Sequence, residues 1–477
     1  MSGLSWSAAG RGFRESMQLL CMIVMARFLS PADFGAYAIV MMFINFALIF
    51  GSAGVSQILI MKRDDSAQLA TSLFYLNLVF GALAYLLLLL ISPLIAELFD
   101  NAELVPLLNI AGLVFLVQAP LLVQRSIMER DLKFEALVKA ETVTILIATC
   151  LGIGCAFMGF GVYSLLVFNL SAIGLLTAAI WLICDWRPVG MASLPVLRET
   201  MGLVLHFTGF TLLNFLTRHC DVFLIGKLMS SSALGLYSMA YRLTIYPVQA
   251  FSQIVHRVAY PTLSSLRDDP ASARAFYLRS LQGITLLVFP ALVGMACIAE
   301  LIVPMVLGSQ WIDMVVVVQI LVWVGLLQVV TATVGTILPA MEKTRLMLNI
   351  GAVNTLVIVL AFALAVPYGV SGMATAYLLA NLVMFFIQAR VAWPLLGLSV
   401  GEGLKATSPA LIGSLLMGGL VIGAGAAYRA LDLHEIGGLA LQILVGAVSY
   451  PLLVWLFFKE SSVALLAELR HGVGASD

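Results

Sequence analysis

Asn214, Arg218 and Asp221 stand four and three residues apart inside an otherwise apolar run, a spacing that brings all three to one face of a helix. A guanidinium in such a place can hold an oxyanion through two parallel N–H donors without losing its own proton. The following apolar run sets Arg242 ahead of Tyr246, Gln249, Gln253 and His256 on one stripe, and the first run groups Ser7, Arg11, Arg14 and Gln18. Together these residues have the types needed to receive an anion, with Arg218, Arg242, Arg14, Arg11, Asn214 and Gln249 as its candidate contacts. A plainer role is open to several of them. Arg218 is placed to pair with Asp221 as structural glue, although Asp221 is also a candidate for ion coupling. Arg11 and Arg14 either steer an anionic head group inward or anchor their helix on lipid phosphates.

Other chemistry has little support. The chain contains no GxxxxGK[ST] phosphate loop, and the pairs Gly152/Gly154 and Gly423/Gly425 lie in apolar runs where close helix packing explains them. His206, His219, His256, His434 and His471 are scattered without a metal-binding spacing, and no Ser/His/Asp set can be assembled. Cys21, Cys150, Cys155, Cys184, Cys220 and Cys297 lie within or at the ends of apolar runs and read as small buried hydrophobes. No cofactor or metal is implied.

The elements that must position the arginines follow from composition. Hydrophobic residues make up 62% of the 477 and charged residues 10%, against roughly 25% charged in a soluble domain. A bilayer core needs about 20 apolar residues per crossing helix. Spans are expected at 5–29, 35–60, 71–96, 104–124, 136–158, 161–184, 200–227, 233–257, 279–304, 312–338, 346–366, 369–393, 407–428 and 436–458. Runs such as Leu83–Ile91 lack the two-residue alternation of a barrel strand, so the fold class is all-α integral membrane, with about fourteen transmembrane helices. A cleavable leader is not expected ahead of the first run, because Arg11, Arg14 and Glu15 interrupt it.

Lys plus Arg equals Asp plus Glu at 25 each, which gives no reason to expect a nucleic-acid partner. Position is more informative than the total. Twenty of the 25 basic residues fall on the side of the N-terminus, three (Arg27, Lys227 and Arg429) fall opposite, and Arg218 and Arg242 lie within spans. The positive-inside rule then puts both termini in the cytoplasm. Lys227 and Arg27 read as boundary anchors. Counting back nine residues from Lys227 puts Arg218 about 13 Å deep, near the bilayer midplane. An ionised group at that depth normally faces a cavity or a partner. Glu15 and Asp221 are read as the only acids well inside the spans.

The segment RFLSPADFGAYAIV (27–40) matches KLMSSSALGLYSMA (227–240) at an offset of 200, pairing Leu29 with Met229, Ser30 with Ser230, Gly35 with Gly235 and Tyr37 with Tyr237. Later, Met128-Glu129-Arg130 is aligned with Met341-Glu342-Lys343 and Phe160-Gly161-Val162 with Tyr368-Gly369-Val370, at offsets of 213 and 208. An offset of six helices gives both copies the same insertion, so parallel repeats about an axis along the membrane normal are expected, with a cavity between them. The organisation follows as a six-helix lobe over 1–190, a second over 191–395, two additional helices over 396–460 and a cytoplasmic tail over 461–477.

The stretches Ala26–Tyr37, Asp221–Leu243, Val258–Asp269 and Phe289–Trp311 resemble the polysaccharide transporter family, the Wzx-type flippases of the multidrug/oligosaccharidyl-lipid/polysaccharide exporter superfamily. That resemblance implies two six-helix bundles plus two helices and transport of an undecaprenyl-diphosphate-linked oligosaccharide across a bacterial inner membrane. It also implies a cationic central cavity in which Arg218 and Arg242 hold the diphosphate while Arg11 and Arg14 assist entry. The expected partners are the lipid-linked oligosaccharide, membrane lipids, and a polysaccharide polymerase and export machinery. A small-molecule or cation antiporter of the same superfamily would be expected to show acidic cavity faces instead. A membrane glycan polymerase or ligase would need a large outside loop.

Overall fold

The computed structural model describes residues 3–52, 59, 66–195, 198, 212, 215, 219–430 and 434–457, with the backbone alone described at 3–9, 11, 51–52, 246–247, 249–258 and 344. Asn214, Arg218 and the tail over 461–477 lie outside the described residues, and of Arg11 and Gln249 only the helical backbone is described.

The described residues are almost entirely helical. The first helices are α1 (Gly3–Ala26), α2 (Pro31–Ser52), α3 (Ser66–Leu98), α4 (Leu104–Ala111), α5 (Leu113–Arg130), α6 (Phe134–Phe157) and α7 (Tyr163–Ile183). A helical segment over 219–228, α8, follows. Next come α9 (Ser231–Ser265), α10 (Pro270–Val306), α11 (Met314–Ala340), α12 (Thr344–Ala365), α13 (Gly369–Ala392), α14 (Val400–Ala430) and α15 (Glu435–Phe457). Helices α4 and α5 make one crossing, so each expected span meets a helix, the seventh through its described part.

Among the described residues ten apolar stretches qualify as crossings, one of them 52 residues long and containing α13 and nearly all of α12. At 24 and 35 residues α1 and α9 are long enough to cross but are not among the ten, and they are the helices holding Arg11, Arg14 and Arg242. Leucines such as Leu90, Leu94 and Leu364 are 72–77% exposed, as expected of side chains whose solvent is hydrocarbon. The chain is a multi-pass membrane protein.

Several helices outrun their apolar cores. Helix α10 begins at Pro270, nine residues before the expected span, because Asp269 caps it by accepting the Ser272 N–H at 3.2 Å and Pro270 fits its first turn. Hydropathy marks the hydrocarbon layer, whereas backbone hydrogen bonding carries a helix on into water wherever a cap ends it.

The chain divides into two compact units, Met1–Ser238 and Met239–Asp477. In the first, Leu69, Leu73, Phe74 and Val123 pack with Trp181 and Trp186. In the second, Tyr277, Leu281, Phe289, Leu326 and Trp393 belong to one large core.

The duplication reappears in the backbone. Ser30 Oγ accepts from Asp33 N at 3.3 Å at the start of α2, and Ser230 Oγ accepts from Ala233 N at 3.1 Å at the start of α9, 200 positions later. In the first copy Asp33 returns a bond to Ser30 N at 2.8 Å, closing a capping box. Gly161 and Gly369 both adopt positive φ, +53° and +72°. One alignment needs correction. Lys133 N and Lys343 N close the same helix-ending turn, on Met128 O and Leu338 O at 2.9 Å each, after Leu132 and Glu342 at φ 57°. The offset there is 210, and the 213 pairing of the two Met-Glu motifs is three residues out of register. Side-chain likeness misled, while the backbone turn defines the equivalence.

Candidate functional site

Helix α1 sets Arg14 twelve residues before its end at Ala26, about 18 Å along the axis. Beside it, α6 carries Glu141 seven residues in from Phe134, so a carboxylate stands inside a run that is otherwise mostly apolar. Its side chain is 7% exposed. Glu141 Oε1 forms ion pairs with Arg14 Nη1 at 2.9 Å and Arg125 Nη2 at 2.8 Å, while Arg125 Nε donates a hydrogen bond to Glu129 Oε1 at 3.0 Å. Three helices thus bring two guanidiniums onto a single carboxylate oxygen. The guanidinium side chains are 32% and 33% exposed, so each keeps a face turned outward.

The electrostatics follow from the count of charges. Two cations and two anions balance, which lowers the cost of placing them in an apolar bundle. An incoming phosphate could take over either guanidinium with the bidentate geometry that a single shared oxygen does not provide.

This cluster corrects the sequence reading. The sequence reading counts only Glu15 and Asp221 as acids well inside the spans, yet Glu141 lies inside 136–158, and it leaves Arg125 among the twenty basic residues on the side of the N-terminus. The available signal was a lone carboxylate within FEALVKAETV. At the structural offset of 210, Arg125 and Glu141 correspond to Gly335 and Gly351, and the sequence offset of 200 brings Arg14 to Asn214. A charge set required only to hold the bundle together would be expected in both copies, but it occurs in one.

The other candidates are placed as follows. Asp221 is buried in α8, its Oδ1 accepts from Val222 N at 2.7 Å, and the Tyr237 side chain lies beside it. Arg242 is half-buried on α9. The Arg218–Asp221 pairing falls outside the described residues. Lys227, expected as an anchor, pairs with Asp100 at 3.0 Å. The ion pairs Lys227–Asp100, Arg429–Glu300 and Arg274–Glu402 each join charges assigned to one side of the membrane by the alternation of spans.

Comparison with known proteins places the chain among relatives. A family model described as "Polysaccharide biosynthesis protein" matches residues 24–316. The chain is 24% identical over 406 residues to the lipopolysaccharide biosynthesis protein WzxC of Escherichia coli K12, covering 84% of this chain and 82% of that one. It is also 24% identical over 486 residues to the teichuronic acid biosynthesis protein TuaB of Bacillus subtilis 168, covering 98% of each. A solved structure of the lipid II flippase MurJ in an inward closed conformation matches at a TM-score of 0.75 and 15% identity, over 95% of this chain and 99% of that one, which shows a shared fold.

Proposed function

This chain belongs to the polysaccharide biosynthesis protein family, and on that premise we propose that it is a flippase for a polyprenyl-diphosphate-linked oligosaccharide. It moves this substrate from the cytoplasmic to the periplasmic face of a bacterial inner membrane, for surface polysaccharide biosynthesis. The observation that carries the reading is the pair of guanidiniums, Arg14 and Arg125, drawn onto Glu141 within the membrane-spanning helices of one repeat only.

In this mechanism both termini are cytoplasmic and the lobes over 1–190 and 191–395 rock against each other, with 396–460 as two added helices. Only the polar head needs shelter, while the prenyl tail stays in lipid. The diphosphate first exchanges with Glu141 on Arg14 and Arg125, with Arg11 assisting, and then passes to Arg218 and Arg242, flanked by Asn214 and Gln249. Asp221 neutralises the empty site or takes up the coupling ion. A polymerase and export machinery receive the product.

The test is genetic and chemical. Deletion should trap lipid-linked oligosaccharide on the cytoplasmic face, accessible to a glycosidase added to inside-out vesicles, and wild type should restore the polymer. Arg14→Ala together with Arg125→Ala should insert normally but fail to restore it. Full restoration by that double variant removes the entry site.

A further inference from the structure

In the second unit, α10, α11, α14 and α15 enclose a cavity of about 670 Å³ that the transport reading does not use. Gln442, 5% exposed on α15, is one of its lining residues, and its Nε2 donates to Val421 O at 3.3 Å. The amide enters α14 at a notch: a Cβ on Gly425 would lie 2.2 Å from Gln442 Nε2. Gln442 Oε1 is buried and has no hydrogen-bond partner among the described residues. An amide acceptor left bare in an apolar bundle is costly and implies a donor that arrives from elsewhere.

The rim supplies the complement. Arg429, one turn from Gly425, and Glu300 of α10 both line the cavity, stand only loosely paired at 3.8 Å and are each 64% exposed. The wall between them is lipid-facing: Trp323, Leu415 and Ile422 are 42–56% exposed. A ligand therefore comes from the bilayer itself. It must bring an anion for Arg429 and an N–H-rich cation for Glu300 and Gln442 Oε1, with an apolar body along the wall.

We propose that this cavity binds a zwitterionic phospholipid with a primary ammonium, of the phosphatidylethanolamine type, with its phosphate on Arg429 and its ammonium between Glu300 and Gln442 Oε1. A primary ammonium has three N–H donors, whereas a quaternary choline has none. The site therefore selects between two head groups of equal net charge.

The test uses the full chain in nanodiscs of phosphatidylcholine doped with phosphatidylethanolamine, reading lipid co-released with the protein by native mass spectrometry. Wild type should retain one phosphatidylethanolamine in preference to phosphatidylcholine by about tenfold. Gln442→Leu should lose that preference, and Gln442→Met, which keeps the length of the side chain but has no amide acceptor, should lose it as well. Equal retention of the two lipids by wild type overturns the proposal. So does a preference that survives either substitution, and one that survives Gln442→Met alone would reduce Gln442 to a packing residue.

Discussion

Gly35 of α2 and Gly235 of α9 approach one another as mirrored partners: a Cβ on Gly35 would lie 1.8 Å from Ser231 O, and one on Gly235 would lie 1.7 Å from Pro31 O. Since 31 and 231 are themselves repeat-related, residue i meets j and its counterpart meets i's, the signature of a local two-fold axis. The duplicated helix starts touch backbone to backbone, an approach open only to glycine.

That contact makes a sharp stability prediction. Gly35→Ala and Gly235→Ala should each cost about 1–3 kcal/mol by overpacking, because the obstructing atom is a carbonyl that cannot rotate aside. Gly154→Ala, where nothing lies within 4 Å of the added Cβ, should be neutral or slightly stabilising. Thermal unfolding in detergent compares the three. Equal melting temperatures would mean that the two helix starts do not meet this closely.

A second prediction concerns the core of the second unit. Tyr277 is 1% exposed, and its hydroxyl accepts from Trp393 Nε1 at 2.8 Å and lies 3.1 Å from Thr333 Oγ1. Thr333 spends its own proton on Val330 O at 2.7 Å, so Tyr277 must be the donor to Thr333. Tyr277→Phe strands a buried indole N–H and should cost about 1–3 kcal/mol. Thr333→Val strands the buried Tyr277 O–H in the same way and should cost a similar amount, as a paired melt will show.

The third prediction is a pH effect outside the membrane. The Ser272 side chain, followed by its backbone N–H, holds the Asp269 carboxyl below its ordinary value of 3.8. A carboxylate with a lowered folded value stabilises fully above its unfolded value, and that stabilisation fades as pH falls through the folded one. The melting gap between wild type and Asp269→Ala should therefore be widest near neutral pH and close in acid. Asp269→Asn, a cap that does not titrate, should show little such pH dependence.

The reach of the sequence is clear from particular residues. Helix number, crossing order and the paired starts at Ser30 and Ser230 were legible, because apolar run length and cap chemistry are local properties. The family resemblance was also legible, in the turn at 26–37 and the stretch after Asp221. The register at Lys133 and Lys343 was not, since it is written in a backbone turn that tolerates Leu in one copy and Glu in the other. Nor was the meeting of Arg14, Arg125 and Glu141. Their separations along the chain, 111 and 16 residues, give no hint that α1, α5 and α6 share one carboxylate.

That cluster supports the last prediction. Removing Glu141 leaves Arg14 and Arg125 facing one another with no shared anion, and Glu129 remains to Arg125 alone. For a buried pair such a loss costs about 3–5 kcal/mol, but a third of each guanidinium is exposed and solvent screening should bring Glu141→Gln nearer about 1–2 kcal/mol. The functional consequence has a distinct sign. Without its internal competitor the guanidinium pair should hold a diphosphate more tightly and release it more slowly. Glu141→Gln should then bind a polyprenyl diphosphate better than wild type while restoring less polymer to a deletion strain, and adding Arg14→Ala should reverse the gain in affinity. Fluorescence titration of the purified variants with farnesyl diphosphate reads this directly. Weaker binding by Glu141→Gln in a protein that melts within a few degrees of wild type would show that the carboxylate orients the arginines rather than competing with the substrate for them.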